Sequence, residues 1–374
     1  MKILIASDSF KGSLRAGKVA DAISKGILSK NPEAIIEKVP LADGGEGTLE
    51  AILSSNSEDF QIISGKYSGP LSAETEAFFL FNKKEKIALI EMAQTAGLEL
   101  LKPEERNPLI ATTMGVGQQI KQAIEVGAKK IILFVGGSAT NDAGIGMASE
   151  LGWVFRDEYG DFVEPFAENL EKINHLSPPE INILEGIEVK IATDVTNPFY
   201  GENGAAKVFG KQKGAFEYEI KLLDDGLKNF AKIVEIEFGL NLQNIPGSGS
   251  AGGLAGGGMV FLNGKIVSGT GLIFNYCNLE EKIKNADWVI SGEGKIDSQT
   301  FVGKLVSAVL NLCKKHNKKV ILVAGKADAN ISELKNENIV HLYQLTENYT
   351  PEYAIENAEE LLEVIGEKIA ISMV

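Results

Sequence analysis

Five short apolar runs, at 2–6, 36–40, 131–135, 189–192 and 288–290, each lead into a segment that carries an aspartate. The segments are Ser7-Asp8-Ser9-Phe10-Lys11-Gly12, Ala42-Asp43-Gly44-Gly45-Glu46-Gly47, Gly136-Gly137-Ser138-Ala139-Thr140-Asn141-Asp142, Thr193-Asp194 and Ser291-Gly292-Glu293-Gly294-Lys295-Ile296-Asp297. Three of them also hold paired or near-paired glycines. Glycine lets successive backbone N–H groups approach and cradle an anion, and a helix N-terminus beyond such a turn adds partial positive charge. Carboxylates beside that cradle would repel phosphate unless Mg2+ bridges them or one of them acts as a base. Read alone, any one of these ends is a helix cap or tight turn. Five in one chain point to a shared phosphate or metal site.

The remaining candidates are few. The three histidines, His175, His316 and His341, are scattered, and Cys277 and Cys313 match no metal spacing or disulfide framework. With no well-placed histidine, the proton acceptor for a hydroxyl nucleophile has to be an aspartate. Arginine occurs only at 15, 106 and 156. Arg106, in Arg106-Asn107-Pro108 ahead of Thr112-Thr113, is the candidate partner for a small acid, which wants a bidentate contact. Lys11 and Lys304 are the lysines placed to meet a substrate or phosphate. No Gly-x-x-x-x-Gly-Lys-[Ser/Thr] is present. Gly247-Ser248-Gly249-Ser250-Ala251-Gly252 fits Gly-x-Gly-x-x-Gly, but no convincing strand precedes it and no acidic residue follows at the required distance.

The elements that must position these groups are strands alternating with helices. The apolar runs, with 87–92 and 320–324 added, lack polar alternation, as strands covered on both faces do. Helix-like stretches at 18–28, 116–126, 304–316 and 351–371 lie between or after them. This pattern predicts an α/β protein with parallel sheets. Residues 61–86 read instead as antiparallel strands, and 241–258 as a linker or a loop over a ligand. The length of 374 residues suits two domains. The expected division is a discontinuous domain, 1–75 plus 280–374, and a second domain, 76–279.

Composition excludes other classes. Fifty-one acidic residues against 37 basic give a net charge of −14, which argues against nucleic acid as the main ligand. No run reaches the ~20 apolar residues of a membrane span, and the N-terminus lacks a signal-peptide pattern. The reading is a cytoplasmic protein. It leaves a homodimer open.

Taken together, the motifs resemble the type-1 glycerate kinases. The resemblance rests on Asp8-Ser-Phe-Lys-Gly-Ser-Leu14, Ala42-Asp-Gly-Gly-Glu-Gly-Thr48, Arg106-Asn-Pro with Thr112-Thr113, and Gly136-Gly-Ser-Ala-Thr-Asn-Asp142. It continues through Asp194-Val-Thr-Asn-Pro198, Gln212-Lys-Gly-Ala215, Pro246-Gly-Ser-Gly249, Ala286-Asp287, Gly292-Glu-Gly-Lys-Ile-Asp297, Gln299-Thr300 and Gly303-Lys304. Departures are Met114 for an aromatic, Ala143 for glycine, Ser248 and Ser250 for alanine, and Lys295 for arginine.

The resemblance implies a two-domain α/β fold, one domain Rossmann/flavodoxin-like with a parallel sheet and the other with a mixed sheet, and an active site in the cleft between them. It implies a kinase that moves the γ-phosphoryl of ATP, with Mg2+, to a hydroxyl of D-glycerate, the 2-position favoured. A kinase of another small hydroxy acid and a non-catalytic ligand-sensing relative are the alternatives. On this reading Asp194, Asp43 and Asp297 are the catalytic carboxylates, Asp194 and Asp297 also meeting the metal. Asp8, Lys11 and Arg106 bind substrate. Gly136, Gly137, Ser138, Asn141, Gly292, Gly294 and Lys304 hold the nucleotide phosphates.

Overall fold

The computed structural model describes residues 1–297, 305–328 and 338–373. The chain forms two compact units, Met1–Asp43 with Glu50–Ser57 and Thr270–Val374, and Gly44–Leu49 with Glu58–Gly269.

In the first unit, five short apolar strands form one all-parallel sheet. Its order is Ile339–Gln344, Lys319–Ala327, Trp288–Ile296, Lys2–Ile5, Ile35–Lys38. Numbered along this unit alone, that is the order 2-1-3-4-5 of flavodoxin-like folds, and the order reverses between Lys2–Ile5 and Trp288–Ile296. Helix Ala16–Lys30 buries Val19, Ala20, Ile23 and Ile27, and helix Ala358–Ser372 buries Leu362, Ile365 and Ile369. Both belong to one core with Ile3, Ile5, Ile321 and Val323. The two helices meet backbone to backbone through glycine. A Cβ on Gly26 would lie 1.9 Å from the Glu363 carbonyl oxygen, and one on Gly366 would lie 2.4 Å from that of Ile23.

The second unit holds a six-stranded mixed sheet, ordered Lys265–Val267, Glu188–Ala192, Lys130–Phe134, Ile87–Glu91, Glu74–Asn82, Gln61–Ser68. The first four strands run parallel, so their carboxyl ends share one edge of the sheet. The last two form the antiparallel pair that 61–86 suggested. Because Gln61–Ser68 pairs along Glu74–Asn82, the division expected after residue 75 falls after Ser57, and the second break falls after Gly269 rather than 279. Helix Glu217–Phe238 buries Leu223, Leu227, Phe230 and Val234 against this core. Phe230 stacks on Phe199, with ring centroids 6.0 Å apart.

Two local expectations change. Trp288–Ile296 is one strand, so Gly292 and Gly294 lie within the sheet and not in a loop after it. The neighbouring strand leaves no room for a side chain at Gly292, where a Cβ would sit 1.8 Å from the Val323 carbonyl oxygen. The segment 241–258 is not a linker. Ser248 and Ser250 are buried, and Cβ atoms at Gly249 and Gly252 would meet the carbonyl oxygens of Pro198 and Thr140 at 2.1 Å each. Its glycines serve close backbone packing, which accounts for the spacing without a dinucleotide. No helix among the described residues is long and apolar enough to cross a membrane.

Candidate active site

In parallel sheets of this kind, ligands bind at the carboxyl ends of strands where the order reverses. In the first unit that place is occupied by Asp8 and Glu293. The chain leaving Lys2–Ile5 continues along its neighbour, with Ala6 N–H donating to Ile290 O at 2.8 Å and Asp8 N–H to Gly292 O at 2.9 Å. The Asp8 carboxylate accepts from the Ser9 backbone N–H at 2.6 Å and is 7% exposed. Burial, then the negative charge of Asp43, pushes its pKa up to about 7, against the opposing pull of Lys11. Glu293 adds to the rise. A carboxyl group poised near neutrality at a strand end is suited to binding or proton exchange.

Two of the carboxylates singled out from sequence are held by lysines in this unit. Lys11 Nζ lies 2.8 Å from Asp43 Oδ2. Lys295 Nζ bridges Asp297 Oδ2 at 3.1 Å and Asp328 Oδ2 at 2.9 Å, so the lysine in place of arginine still serves as a charge link. Gly294 stands beside the first loop, a Cβ there meeting Lys11 N at 3.4 Å. Lys304 lies outside the described residues.

In the second unit, four parallel strands end on one shared edge. Two of its glycine turns already hold an anion, and that anion is the protein's own. Glu91, at the end of Ile87–Glu91 and 2% exposed, accepts from Gly47 N–H at 3.2 Å and Leu49 N–H at 3.0 Å. It thereby satisfies the first turn of Thr48–Ser55. Asp142, fully buried, accepts from Thr113 N–H at 2.9 Å, Thr113 Oγ1 at 2.8 Å, Gly144 N–H at 3.0 Å and Gly146 N–H at 3.3 Å. Burial raises its pKa, with these donors opposing the shift. Gly146 has no room for a side chain, since a Cβ would lie 2.2 Å from Thr112 Oγ1. The Thr112-Thr113 pair and the Gly136–Asp142 motif are therefore one packed structure.

The part of that motif left for a ligand is 136–141. Gly137 has φ +73°, and a Cβ there would collide with the Glu46 carboxylate. Asn141 is 0% exposed, and neither its side-chain oxygen nor its nitrogen has a partner among the described residues. Thr140 Oγ1 is in the same condition. Buried polar groups without partners are rare and mark a missing water, ion or ligand. Lys213, 2% exposed, donates to Ser138 Oγ at 2.8 Å and to Thr140 O at 2.6 Å. Arg106 Nη1 donates to Gln212 O at 3.4 Å, and Gly214, at φ +96°, packs on the Arg106 backbone. The structure thus brings Arg106 and the 136–141 loop together through Gln212-Lys213-Gly214.

Asp194 follows Glu188–Ala192 on the same edge. Ser268 Oγ donates to its Oδ1 at 2.7 Å from beyond the adjacent strand Lys265–Val267. The turn is pinned by Thr193 N–H to Val267 O at 3.0 Å and by Thr193 Oγ1 to Ser250 Oγ at 3.0 Å. Among the described residues no group of three or more His, Cys, Asp or Glu is arranged for a metal ion. Mg2+ commonly takes one or two carboxylates, with phosphate and water completing its shell. The oxygen donors at Asp194 and Asp297 are of the kind it requires.

Sequence reasoning missed Glu91, Glu293 and Lys213 as individual residues. Glu91 lies inside the apolar run 87–92, Glu293 falls in a segment that reads as a loop, and Lys213 stands only within the Gln212–Ala215 motif.

Comparison with known proteins converges on one family. Residues 3–374 match the glycerate kinase family model. A glycerate kinase of Bacillus cereus is 39% identical over 372 residues, covering 99% of this chain and 97% of that one. A glycerate 2-kinase of Escherichia coli is 40% identical over 340 residues, covering 91% and 89%. A crystal structure of a putative glycerate kinase 2 from Salmonella typhimurium superposes with a TM-score of 0.80 at 36% identity, covering 100% and 98%. The chain belongs to the glycerate kinase family.

Proposed function

We propose that this chain is an ATP- and Mg2+-dependent kinase that phosphorylates D-glycerate, with 2-phosphoglycerate as product. The observation that carries the reading is the buried carboxamide of Asn141, without a partner among the described residues, in a glycine loop backed by Lys213 and joined to Arg106. Phosphoryl transfer asks the protein mainly for positioning and charge neutralisation. Gly136, Gly137, Ser138 and Asn141 supply a phosphate contact; Gly294 lies beside the Lys11 loop, and Gly292 serves the close approach of two strands behind it. Arg106, Asp8 and Lys11 hold the acid. Asp194 and Asp297 would hold Mg2+, which neutralises phosphate charge when bound. Asp43, paired with Lys11, orients that lysine.

The acceptor hydroxyl must lose a proton, and Asp194 is assigned that role. One observation favours Asp8 as its rival: its pKa near 7 is where a general base works best at neutral pH. Asn variants at the two positions separate the readings, because only loss of the true base costs ~10²–10⁴ in kcat. Steady-state rates with MgATP on a panel of small hydroxy acids test the substrate. Preference for D-glycerate supports the proposal, and preference for another hydroxy acid transfers the same phosphate site to a different acceptor. Binding of ligand without turnover would support a sensing relative instead.

A further inference from the structure

We propose that Lys213 is a positioning residue that forces Ser138 to act as a hydrogen-bond donor toward a phosphate of the bound nucleotide. The role rests on the reading of 136–141 as a phosphate site. An ammonium group has three donors and no acceptor. In the bond from Lys213 Nζ at 2.8 Å, Ser138 Oγ is therefore the acceptor, and its own hydrogen is left for a third atom. The second bond, from Nζ to Thr140 O at 2.6 Å, fixes the loop on the far side of Ser138 and adjoins Asn141. Gly252 supports the same peptide from behind, its Cα position leaving no space against Thr140 O. Ser138 is 8% exposed and Asn141 0%, so both act in a site shielded from bulk water. Phosphate oxygens only accept. Ser138 and Asn141 meet them as donors as long as Lys213 carries its proton.

Asp142, which follows Asn141 in the chain, favours the ammonium form of this lysine, and the Arg106 side chain is held at the Gln212 carbonyl. Burial outweighs Asp142 and lowers the Lys213 pKa to about 7. Once neutral, the amine can accept, and Ser138 can turn its hydrogen inward. The hydroxyl then presents a lone pair to the phosphate, which weakens binding.

The test is the KM for MgATP, at saturating D-glycerate, measured from about pH 6 to about pH 8.5. Wild type should lose about tenfold in apparent affinity across this range, and Ser138→Ala should lose much less. Phosphate has its own second ionisation at about 6, common to both proteins, so the comparison removes it. Lys213→Met puts no titrating group beside Ser138 Oγ and should flatten the pH dependence of the KM for MgATP, with a smaller effect on kcat. If that variant fails to fold, the wild-type and Ser138→Ala profiles still decide. Equal pH dependence in those two proteins overturns the Lys213–Ser138 coupling. An unchanged KM for MgATP in both Asn141→Ala and Ser138→Ala overturns the phosphate reading of the loop itself.

Discussion

Glu91 accepts the backbone N–H of Leu49 at 3.0 Å and that of Gly47 at 3.2 Å, so a carboxylate from a distant strand end fills this glycine turn. Asp142 does the same for Gly144 and Gly146. Both carboxylates hold backbone N–H groups of the protein's own glycine turns. Glu91→Ala leaves two backbone donors without their charged acceptor, and a loss of roughly 1–3 kcal/mol is expected. Glu91→Gln keeps one acceptor oxygen and should lose less. Urea unfolding of the three proteins measures this; equal midpoints would mean the contact contributes nothing.

Asp8 gives a pH-dependent stability of defined sign. Its folded pKa of about 7 lies above the ordinary 3.8, so the fold favours the protonated carboxyl. That stabilisation is complete below the unfolded value and is lost as pH rises toward about 7. Asp8→Asn carries no such penalty, so its stability relative to wild type should increase between about pH 4 and about pH 8. Denaturation midpoints at the two ends of that range check it. A difference that does not change with pH would show that Asp8 ionises without cost.

The helix pair of the first unit depends on two glycines. Gly26→Ala places a methyl group against the Glu363 backbone, where a Cβ would sit 1.9 Å from the carbonyl oxygen. The helices must separate, at a cost of about 1–3 kcal/mol. The same change at Gly12, where a Cβ meets nothing within 4 Å but φ is +79°, introduces backbone strain alone. Thermal midpoints should therefore fall further for Gly26→Ala; the reverse order would refute the packing account.

Asp194→Asn keeps the size of the side chain and its bond from Ser268 while removing the charge. A kcat reduced by ~10²–10⁴ with an unaltered circular dichroism spectrum is expected. Near-normal turnover would take the base away from Asp194 and leave Asp8 to be tried.

Much of this was legible in the sequence, for a physical reason. Strands covered on both faces need continuous apolar residues, so Lys2–Ile5, Ile87–Glu91, Lys130–Phe134 and Glu188–Ala192 stand out. Aspartate and glycine at their ends mark the sheet edge where such folds generally bind ligands. Trp288–Ile296 was harder, because Gly292, Glu293, Gly294 and Lys295 look like a loop until the register with Lys319–Ala327 is known. Helix Glu217–Phe238 was passed over although its apolar positions recur every three to four residues. Glu91 gives no local signal, and Lys213 shows only as part of the Gln212–Ala215 motif, with nothing there to mark its contact. Each acts on a segment far away in the chain, Lys213 on a serine 75 residues earlier, and only the fold brings them together.

The central claim is that this chain transfers phosphate from ATP to D-glycerate. Purified protein with MgATP and D-glycerate, assayed for ADP and then by phosphorus NMR of the product, tests it directly. The account predicts ADP release that depends on D-glycerate and a product signal whose coupling pattern is that of 2-phosphoglycerate. ADP release indifferent to glycerate, or none at all from folded protein, would contradict it.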